Sequence, residues 1–242
     1  MSLQLQTVRD PAQLAEEAVG IIEDYGAQCL LENGHFLLSL AGGSTPKAVY
    51  RLWGERSVLT WDKLHLIYGD ERCVPPDHPD SNAGMAAEAL LDRLPTPPTT
   101  YRMEGENPNP EHAASDYENT LRGLLQRLGA IDLALLGIGG DGHTASLFPG
   151  AAAVHEQERL CVSTPAPDGK TMRLTLTAPA LKGARRIMFM AAGRDKAEVI
   201  RQVVEGEVIP GKFPSQLFLR DEALQVTLLL DEAAATELSG QF

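Results

Sequence analysis

Residues 131–150 read IDLALLGIGGDGHTASLFPG, an apolar run followed by a glycine-rich turn that carries a carboxylate and an imidazole. The almost unbroken apolar run is typical of a strand that is buried on both faces of a parallel sheet. Asp141 and His143 are therefore expected at the carboxyl end of that strand, in the crevice where open α/β sheets bind ligands. The glycines of the turn permit positive φ and a close approach of the backbone to a ligand. An imidazole held there can accept a proton near neutral pH.

Strand-like apolar runs alternate with amphipathic helical runs along the rest of the chain, which is the pattern of an α/β protein. The predicted strands cover residues 35–43, 63–69, 131–138, 159–164, 171–177, 185–192 and 225–230. The predicted helices cover residues 11–32, 46–53, 81–94 and 111–129, with further helices between the later strands and at the C-terminus. The proline-rich segment 95–111 is predicted to be irregular. Because the composition does not change after it, one domain over residues 1–242 is preferred to two.

The composition is that of a globular protein, with 43% hydrophobic and 22% charged residues and a formal net charge of −12. Such a charge argues against nucleic-acid and anionic-membrane partners, because those surfaces attract clustered Lys and Arg. The three cysteines are widely spaced and lack a CxxC or Cys/His cluster, so neither a disulfide framework nor a metal site is predicted. The N-terminus lacks the pattern of a targeting segment. We expect a cytoplasmic monomer or weak homo-oligomer.

Residues 41–50 read AGGSTPKAVY and follow a predicted strand. After Gly42, the exposed backbone N–H groups of Gly43, Ser44 and Thr45 would bind an anion together with the dipole of the next helix. The alternative is a glycine turn with an ordinary Ser or Thr helix cap. The segment matches neither GxxxxGK[ST] nor GxGxxG, so it implies neither a nucleoside triphosphate nor a dinucleotide.

Charged side chains gather in residues 69–86, GDERCVPPDHPDSNAGMA, after another predicted strand. The guanidinium of Arg72 beside the crevice would suit an anionic substrate or a developing oxyanion, with Asp70 next to it. A structural ion pair or solvated charges would explain the same residues. Ser81 and Asn82 can cap the helix that follows, and that local role suffices for them.

Two further cations stand near predicted strand ends. Lys196 lies in AAGRDKAEVIRQVV, residues 191–204, at the start of a helix, where a cation opposes the helix dipole. This arrangement suggests an anion shared between the side chain and the helix, but for the motif alone a solvated lysine is the preferred interpretation. Arg173 lies in the alternating run MRLTLT, and the pattern leaves open whether its side chain points inward or outward.

Five segments resemble, in order and approximate spacing, those of the 6-phosphogluconolactonase family: AGGSTP, GDERCVPPDHPDSN, GIGGDGHTASLFP, RLTLTAP and GRDKA. The two long segments are specific, whereas GGSTP and GxxKA are shared with the wider glucosamine-6-phosphate deaminase/isomerase group. The resemblance covers about residues 10–238. It implies a single α/β domain with a Rossmann-like, mainly parallel sheet flanked by helices. It also implies hydrolysis of 6-phospho-D-glucono-1,5-lactone to 6-phospho-D-gluconate, a step of the pentose phosphate pathway, without a required cofactor.

The residues are compatible with that chemistry. A six-membered lactone is a reactive ester, so water and a positioned general base suffice, and no serine lies in a GxSxG nucleophile turn. His143 is the leading candidate for the base, and Asp141 or Asp70 would orient its ring or the substrate hydroxyls. Arg72 and N–H groups of the glycine loop would stabilise the tetrahedral oxyanion.

The resemblance also implies how the phosphate binds. The 6-phosphate would be held by the glycine loop and two cations, namely Gly42, Gly43, Ser44, Thr45, Arg173 and Lys196. The chain departs from its relatives just before Arg173, where they commonly carry a proline-containing lysine segment and this chain reads APDGKTMRLTLT. The role of Lys170 in that segment is left unassigned.

Two alternative functions are weighed against the lactonase. Deaminases and isomerases of glucosamine 6-phosphate resemble DGHIAFNEP where this chain reads DGHTASLFP, so Phe148 stands where their ring-opening acid would be a glutamate. They also tend to carry Asp-Glu-Tyr at the position where residues 70–72 of this chain read Asp-Glu-Arg. Ring opening needs the extra acid, so both differences favour the lactonase. A non-catalytic sugar-phosphate-binding protein would keep its ligand affinity without His143.

Overall fold

The computed structural model describes residues 3–240, and the first two and last two residues of the domain predicted over 1–242 lie outside the described residues. The strands are β1 (Leu3–Val8), β2 (Phe36–Leu40), β3 (Leu64–Tyr68), β4 (Asp70–Arg72), β5 (Thr99–Tyr101), β6 (Leu133–Gly137), β7 (Cys161–Pro165), β8 (Met172–Leu176), β9 (Arg186–Ala191) and β10 (Val226–Asp231). Seven of them form one sheet in the order β1-β10-β9-β6-β2-β3-β5. Every neighbouring pair in that sheet is parallel, which confirms the α/β fold class.

The helices follow the sequence signals for helix starts and ends. They are α1 (Pro11–Asn33), α2 (Ser44–Arg56), α3 (Asn82–Ala89), α4 (Pro110–Leu128), α5 (Ala178–Lys182), α6 (Ala197–Val204), α7 (Gln216–Leu219) and α8 (Glu232–Ala235), with 3-10 turns at Trp61–Lys63, Leu91–Arg93, Ala152–His155 and Arg194–Lys196. In α1, Asp10 caps the first turn and Gly34 ends the helix at a φ of 75°. No helix within residues 3–240 is long and apolar enough to cross a membrane.

Alternate residues of the buried strands face two separate hydrophobic cores. In β2, Leu37 packs into the core that includes residues of α4 and α6, whereas Phe36, Leu38 and Leu40 pack into the core that includes α1 and α2. Side chains of a strand alternate between the two faces of a sheet, so a strand covered on both faces is apolar at every position. The sheet therefore lies between two layers of helices.

A smaller antiparallel sheet, in the order β4-β8-β7, accompanies the parallel one. Asp70 and Arg72 were predicted to follow the end of a strand, and they instead begin and end the short strand β4. Strand β4 pairs with β8 so that Arg72 lies opposite Arg173. The sheet system is thus mainly parallel, as predicted, with one antiparallel addition that the sequence pattern did not reveal.

Three other elements differ from the prediction. The segment 95–111, predicted to be irregular, contains the three-residue edge strand β5. Strand β1 was not predicted, because an edge strand that reads LQLQTV carries polar residues at alternate positions. Helix α2 begins at Ser44 rather than Pro46, and Gly43 is its N-cap residue. The alternative interpretation of this segment, a Ser or Thr helix cap, is therefore wrong, because no side chain caps α2.

The strand order places a switch point between β2 and β6. From β2 the chain moves outward to β3 and β5 on one side, and from β6 it moves outward to β9 and β10 on the other, where the first strand, β1, forms the edge. The loops that leave β2 and β6 consequently diverge and leave a crevice at their carboxyl ends. Both glycine-rich segments singled out by the sequence leave these two strands.

Candidate active site

A cleft of about 310 Å³ opens at the switch point. Its floor and walls come from the ends of β2, β3, β4 and β6, from α3 and from the turn that precedes α6. The lining residues are Ala41, Gly42, Gly43, Gly69, Asp70, Arg72, Asn82, Leu135, Leu136, Gly137, Ile138, Gly139, Gly140, His143, Ala145 and Lys196. The volume lies in the range of pockets that bind small molecules.

His143 and Asp141 form a hydrogen-bonded pair on the turn after β6. The Nδ1 atom of His143 lies 2.5 Å from Oδ1 of Asp141, and the same oxygen accepts the backbone N–H of His143 at 3.1 Å. An ionised carboxylate accepts hydrogen bonds, so Nδ1 carries the proton and Nε2 is left with a free lone pair. The arrangement orients a neutral imidazole to take a proton through Nε2.

The Asp141 carboxyl is kept ionised by its contacts. Burial acts to raise the pKa of Asp141, but the backbone N–H of His143 and the imidazole beside it act more strongly in the opposite direction. The pKa of Asp141 therefore lies below its ordinary value. Of the two acids that the sequence offered as partners of the histidine, the structure brings Asp141 to the ring.

The position of the imidazole depends on small residues in the turn. A Cβ on Gly139 would lie 2.1 Å from Cε1 and Nδ1 of His143, so the ring occupies the space of the missing side chain. The ring of Phe148 packs against the imidazole at a centroid distance of 4.9 Å. Gly142, at a φ of 83°, lies against Phe213, and its carbonyl oxygen accepts the N–H of Ser215. The turn is thus fixed by a glycine on each side of Asp141 and by the segment before α7.

Asp70 lies across the cleft and has its own donors. Its Oδ2 atom accepts the hydroxyl of Ser146 at 2.7 Å, and its Oδ1 atom accepts the amide of Asn82 at 3.0 Å. The N–H of Ser146 is in turn held by Oγ1 of Thr175 at 3.1 Å. Asp70 is therefore a fixed wall of the cleft, and among the described residues it has no hydrogen bond to His143.

The acid between Asp70 and Arg72 supports the structure of the loop. Glu71 is 2% exposed, and its carboxylate accepts three backbone N–H groups, those of Arg72, Asn82 and Ala83. Burial raises the pKa of Glu71 despite these hydrogen bonds. The guanidinium of Arg72 donates to the carbonyl oxygen of Asp80 and lines the cleft. The three charged residues of β4 bond to other groups: Asp70 accepts from Asn82 and Ser146, Glu71 accepts backbone N–H groups and Arg72 donates to Asp80. An ion pair within β4 therefore does not account for them.

Gly43 and Lys196 both line the cleft. Gly43 has a φ of 108° and opens the first turn of α2. Lys196 precedes α6 in a turn that begins at Gly193, whose N–H donates to both carboxylate oxygens of the buried Asp231. The predicted glycine loop and the predicted lysine therefore meet at one site, as the anion hypothesis requires.

The remaining predicted phosphate ligands, Ser44, Thr45 and Arg173, do not line the cleft. Ser44 lines an adjoining chamber of about 370 Å³, which also shares Gly43 and Arg72 with the cleft. Thr45 is the second residue of α2 and follows Ser44 in the first turn of that helix. Arg173 is the cross-strand neighbour of Arg72, so the two guanidinium groups lie on the same face of the small sheet.

Sequence reasoning overlooked two residues of the cleft region and left one unassigned. Asn82 was considered only as a helix cap, but Ser81 provides the cap and Asn82 lines the cleft. Ser146 was considered only as a rejected nucleophile, yet it fixes Asp70. The unassigned Lys170 lies in the turn between β7 and β8, where its N–H binds Asp168. Within residues 3–240 no three His, Cys, Asp or Glu side chains are grouped as metal ligands.

A histidine-carboxylate pair and a cationic, glycine-lined end at the switch point of a parallel sheet define a class of protein. They are typical of α/β enzymes that act on small anionic substrates by proton transfer.

Comparison with known proteins narrows the class. Residues 9–228 match the family model described as glucosamine-6-phosphate isomerases/6-phosphogluconolactonase. A 6-phosphogluconolactonase of Synechocystis is 35% identical over 98% of this chain and 99% of its own length. The human 6-phosphogluconolactonase is 34% identical over 95% and 92%. The chain belongs to the glucosamine-6-phosphate isomerase/6-phosphogluconolactonase family.

Solved structures agree with this assignment. The crystal structure of 6-phosphogluconolactonase from Leishmania guyanensis superimposes with a TM-score of 0.84 at 30% identity, covering 99% of this chain and all of that one. A monomeric glucosamine-6-phosphate deaminase superimposes with a TM-score of 0.83 at 22% identity. The second likeness concerns the fold alone.

Proposed function

We propose that this protein hydrolyses 6-phospho-D-glucono-1,5-lactone to 6-phospho-D-gluconate, with water as the nucleophile and His143 as the general base. The observation that carries the proposal is the 2.5 Å contact between Nδ1 of His143 and Asp141. Because this contact occupies Nδ1, the other ring nitrogen, Nε2, is the one that can accept a proton, and His143 lines the cleft. The bacterial and human relatives named 6-phosphogluconolactonase span nearly the whole chain and support the same activity.

The reaction needs one proton acceptor that later returns its proton. Nε2 of His143 takes a proton from water while the water oxygen attacks the lactone carbonyl carbon. The resulting oxyanion would be stabilised by Arg72 and by the backbone N–H of Gly140 in the glycine loop, because the N–H of Gly139 already donates to the carbonyl oxygen of His143. When the bond between the carbonyl carbon and the ring oxygen breaks, the imidazolium gives its proton to that oxygen. The ionised Asp141 stabilises the imidazolium between the two transfers.

The phosphate would bind at the other end of the cleft. Its charge is attracted by Lys196 and by the N-terminus of α2, where Gly42, Gly43, Ser44 and Thr45 supply backbone N–H groups. Arg173 would add a second guanidinium beside Arg72. The whole chain, these cations included, carries a formal net charge of −12, so the local cations must attract the anionic substrate.

The ring next to the base favours lactone hydrolysis over amino-sugar ring opening. Phe148 packs edge-on against His143 and presents a hydrocarbon where ring opening would need an additional acid. A general base and water are sufficient for an ester, and Phe148 also keeps one side of the imidazole dry.

The test follows the disappearance of freshly prepared 6-phosphoglucono-1,5-lactone by NMR, with His143→Ala, a buffer blank and a separate tube of glucosamine 6-phosphate. Loss of the base should reduce the enzymatic rate by about 10²- to 10⁴-fold. The matched control is His112→Ala, which removes an exposed histidine of α4. A fully active His143→Ala enzyme would overturn the assignment of the base. Lactone decay at the rate of the blank, with ammonia released from the amino sugar, would indicate a deaminase.

The proposed reaction uses residues of one chain, and a second copy is not needed to complete the cleft. A monomer or weak homo-oligomer, located in the cytoplasm and without a nucleic-acid partner, remains our prediction. Size-exclusion chromatography with light scattering measures the oligomeric state directly.

A further inference from the structure

Asn82 occupies a position in the cleft that helix capping does not explain. Ser81 is the N-cap residue of α3, and its hydroxyl accepts the N–H of Gly84 at 3.0 Å. Asn82 is the first residue of the helix, is 3% exposed and lines the cleft. A nearly buried amide is costly unless its polar atoms are used, so its partners indicate its role.

The Asn82 amide is oriented by Asp70. Its Nδ2 atom donates to the backbone carbonyl oxygen of Asp70 at 2.9 Å and to the carboxylate Oδ1 at 3.0 Å. Both amide protons are therefore directed at Asp70, and the amide oxygen points the other way. A Cβ on Gly42 would lie 2.1 Å from that oxygen, so the oxygen sits beside the glycine loop at the cleft wall. Among the described residues no donor reaches it.

The three oxygens of this wall can all accept further hydrogen bonds. Each Asp70 carboxylate oxygen has one side-chain donor, from Asn82 or from Ser146, and each retains an unused lone pair. The Asn82 oxygen adds a third acceptor. A wall of acceptors does not suit a phosphate or carboxylate, but it suits hydroxyl groups, which donate.

We propose that Asn82 and Asp70 form a recognition site for the ring hydroxyls of the substrate and that Asn82 determines specificity there. The inference rests on the proposed function, since it assigns the hydroxyl-bearing edge of the same phosphorylated lactone. His143 would then act on the attacking water and Lys196 would hold the phosphate, while Asn82 would distinguish the sugar from smaller or deoxygenated lactones. A substrate that lacks the recognised hydroxyl would leave acceptors of the cleft wall without their donor in the complex, which is the basis on which a polar site rejects such an analogue.

Single-deoxy lactones test the assignment. The kcat/KM of the parent lactone is compared with those of its 2-deoxy, 3-deoxy and 4-deoxy analogues for the wild type and for Asn82→Ala. The wild type should prefer the parent over at least one analogue by about 10-fold or more, as expected for a hydrogen bond to a charged group. In Asn82→Ala this preference should fall to within about threefold of unity, because the variant loses the acceptor and releases Asp70.

A second variant displaces the Asn82 amide without changing Asn82 itself. Gly42→Ala places a methyl group against the Asn82 oxygen and must displace it, so the preference for the parent lactone should fall there as well. The control is Asn109→Ala, which removes an exposed asparagine cap of α4 and should leave the ratio unchanged. An equal loss of activity on all four lactones in Asn82→Ala would show a purely structural role. A wild type without preference at any of the three positions would also overturn the inference.

The outcome remains distinguishable if the proposed function is wrong. A wild type that does not hydrolyse the parent lactone faster than the blank overturns the reaction. Calorimetric binding of 6-phosphogluconate and its three deoxy analogues then tests the hydroxyl site separately. Equal affinities of the wild type for all four ligands would overturn it, and a preference that disappears in Asn82→Ala would support it.

Discussion

Gly139 lies directly against the imidazole of His143, so that a Cβ at position 139 would be 2.1 Å from both Cε1 and Nδ1. No L-residue with a side chain fits there unless the ring moves. The ring is the end of a side chain and can move without disturbing the backbone. The contact therefore constrains the place of the base rather than the stability of the fold.

Gly139→Ala should separate activity from stability. The added methyl group displaces the imidazole from Asp141 and from the cleft, so kcat should fall toward that of an enzyme without its base, by about 10²-fold or more. The thermal unfolding midpoint should change little. The measurements are kcat on the lactone and a melting curve of the same sample.

The matched control is Gly123→Ala, a glycine of α4 with nothing within 4 Å of the added Cβ. It should keep full activity, and its stability should rise slightly because alanine favours a helix. An unchanged kcat in Gly139→Ala would mean that the position of the imidazole does not limit the reaction.

Asp141→Asn should impair catalysis by changing the tautomer of the histidine. The asparagine can donate its amide to Nδ1, which then holds the lone pair while Nε2 carries the proton. A ring in that state cannot take a proton from water through Nε2, so kcat should fall by about 10²- to 10⁴-fold. Nitrogen NMR of the imidazole reports the tautomer directly. A variant with both kcat and the tautomer unchanged would contradict the role of Asp141.

The sheet centre and the candidate base could both be predicted from the sequence because both depend on local patterns. Strands covered on both faces contain apolar residues throughout, which makes β2 and β6 visible in the sequence. The loops that leave such strands carry the site, so Asp141, His143 and Lys196 could be selected from position alone.

The missed features depend on pairing across long sequence separations. Strand β4 has three residues, and its partner β8 lies about a hundred residues later, so nothing local identifies it. Ser146 binds Asp70 from 76 residues away. Asn82 was interpreted only as a possible helix cap. Because that local role explained the residue, its contact with Asp70 was not predicted. The signal available for it was Gly42, a glycine whose missing side chain makes room for a neighbour.

The turn between β7 and β8 should stabilise the fold in a pH-dependent way. Hydrogen bonds from the backbone N–H groups of Thr171 and Lys170 lower the pKa of Asp168 from 3.8 to about 2. Because the folded-state pKa is the lower one, the contribution of Asp168 is full above about pH 4 and is lost as the pH falls toward 2. Denaturant midpoints should therefore differ between the wild type and Asp168→Ala at pH 6, and converge as the pH is lowered.

Asp168→Asn is the control for charge, since an asparagine oxygen can still accept the turn's N–H groups. Its denaturant midpoint should lie between those of the wild type and Asp168→Ala. The difference between the midpoints of Asp168→Asn and Asp168→Ala should not depend on pH in this range. A gap between the wild type and Asp168→Ala that stays constant from pH 6 to pH 3 would contradict the assigned titration.

Lys196→Met should weaken binding of the phosphate and little else. Methionine keeps the approximate length of the side chain but removes its charge from the lining of the cleft. A hydrogen bond from a charged group contributes about 1.5–3 kcal/mol, so kcat/KM for the phosphorylated lactone should fall about 10- to 100-fold, mainly through KM. Steady-state kinetics on the phosphorylated lactone and on unphosphorylated gluconolactone measure the difference.

The unphosphorylated lactone decides whether Lys196 acts on the phosphate or on the reacting carbonyl. It lacks the group that Lys196 is assigned to bind, so its kcat/KM should be the same in the wild type and in Lys196→Met. Arg194→Met is the matched control, because Arg194 is a cation of the same turn that does not line the cleft. It should change KM less than threefold, through long-range attraction that salt screens. An equal loss on both lactones in Lys196→Met would instead place its ammonium group beside the developing oxyanion.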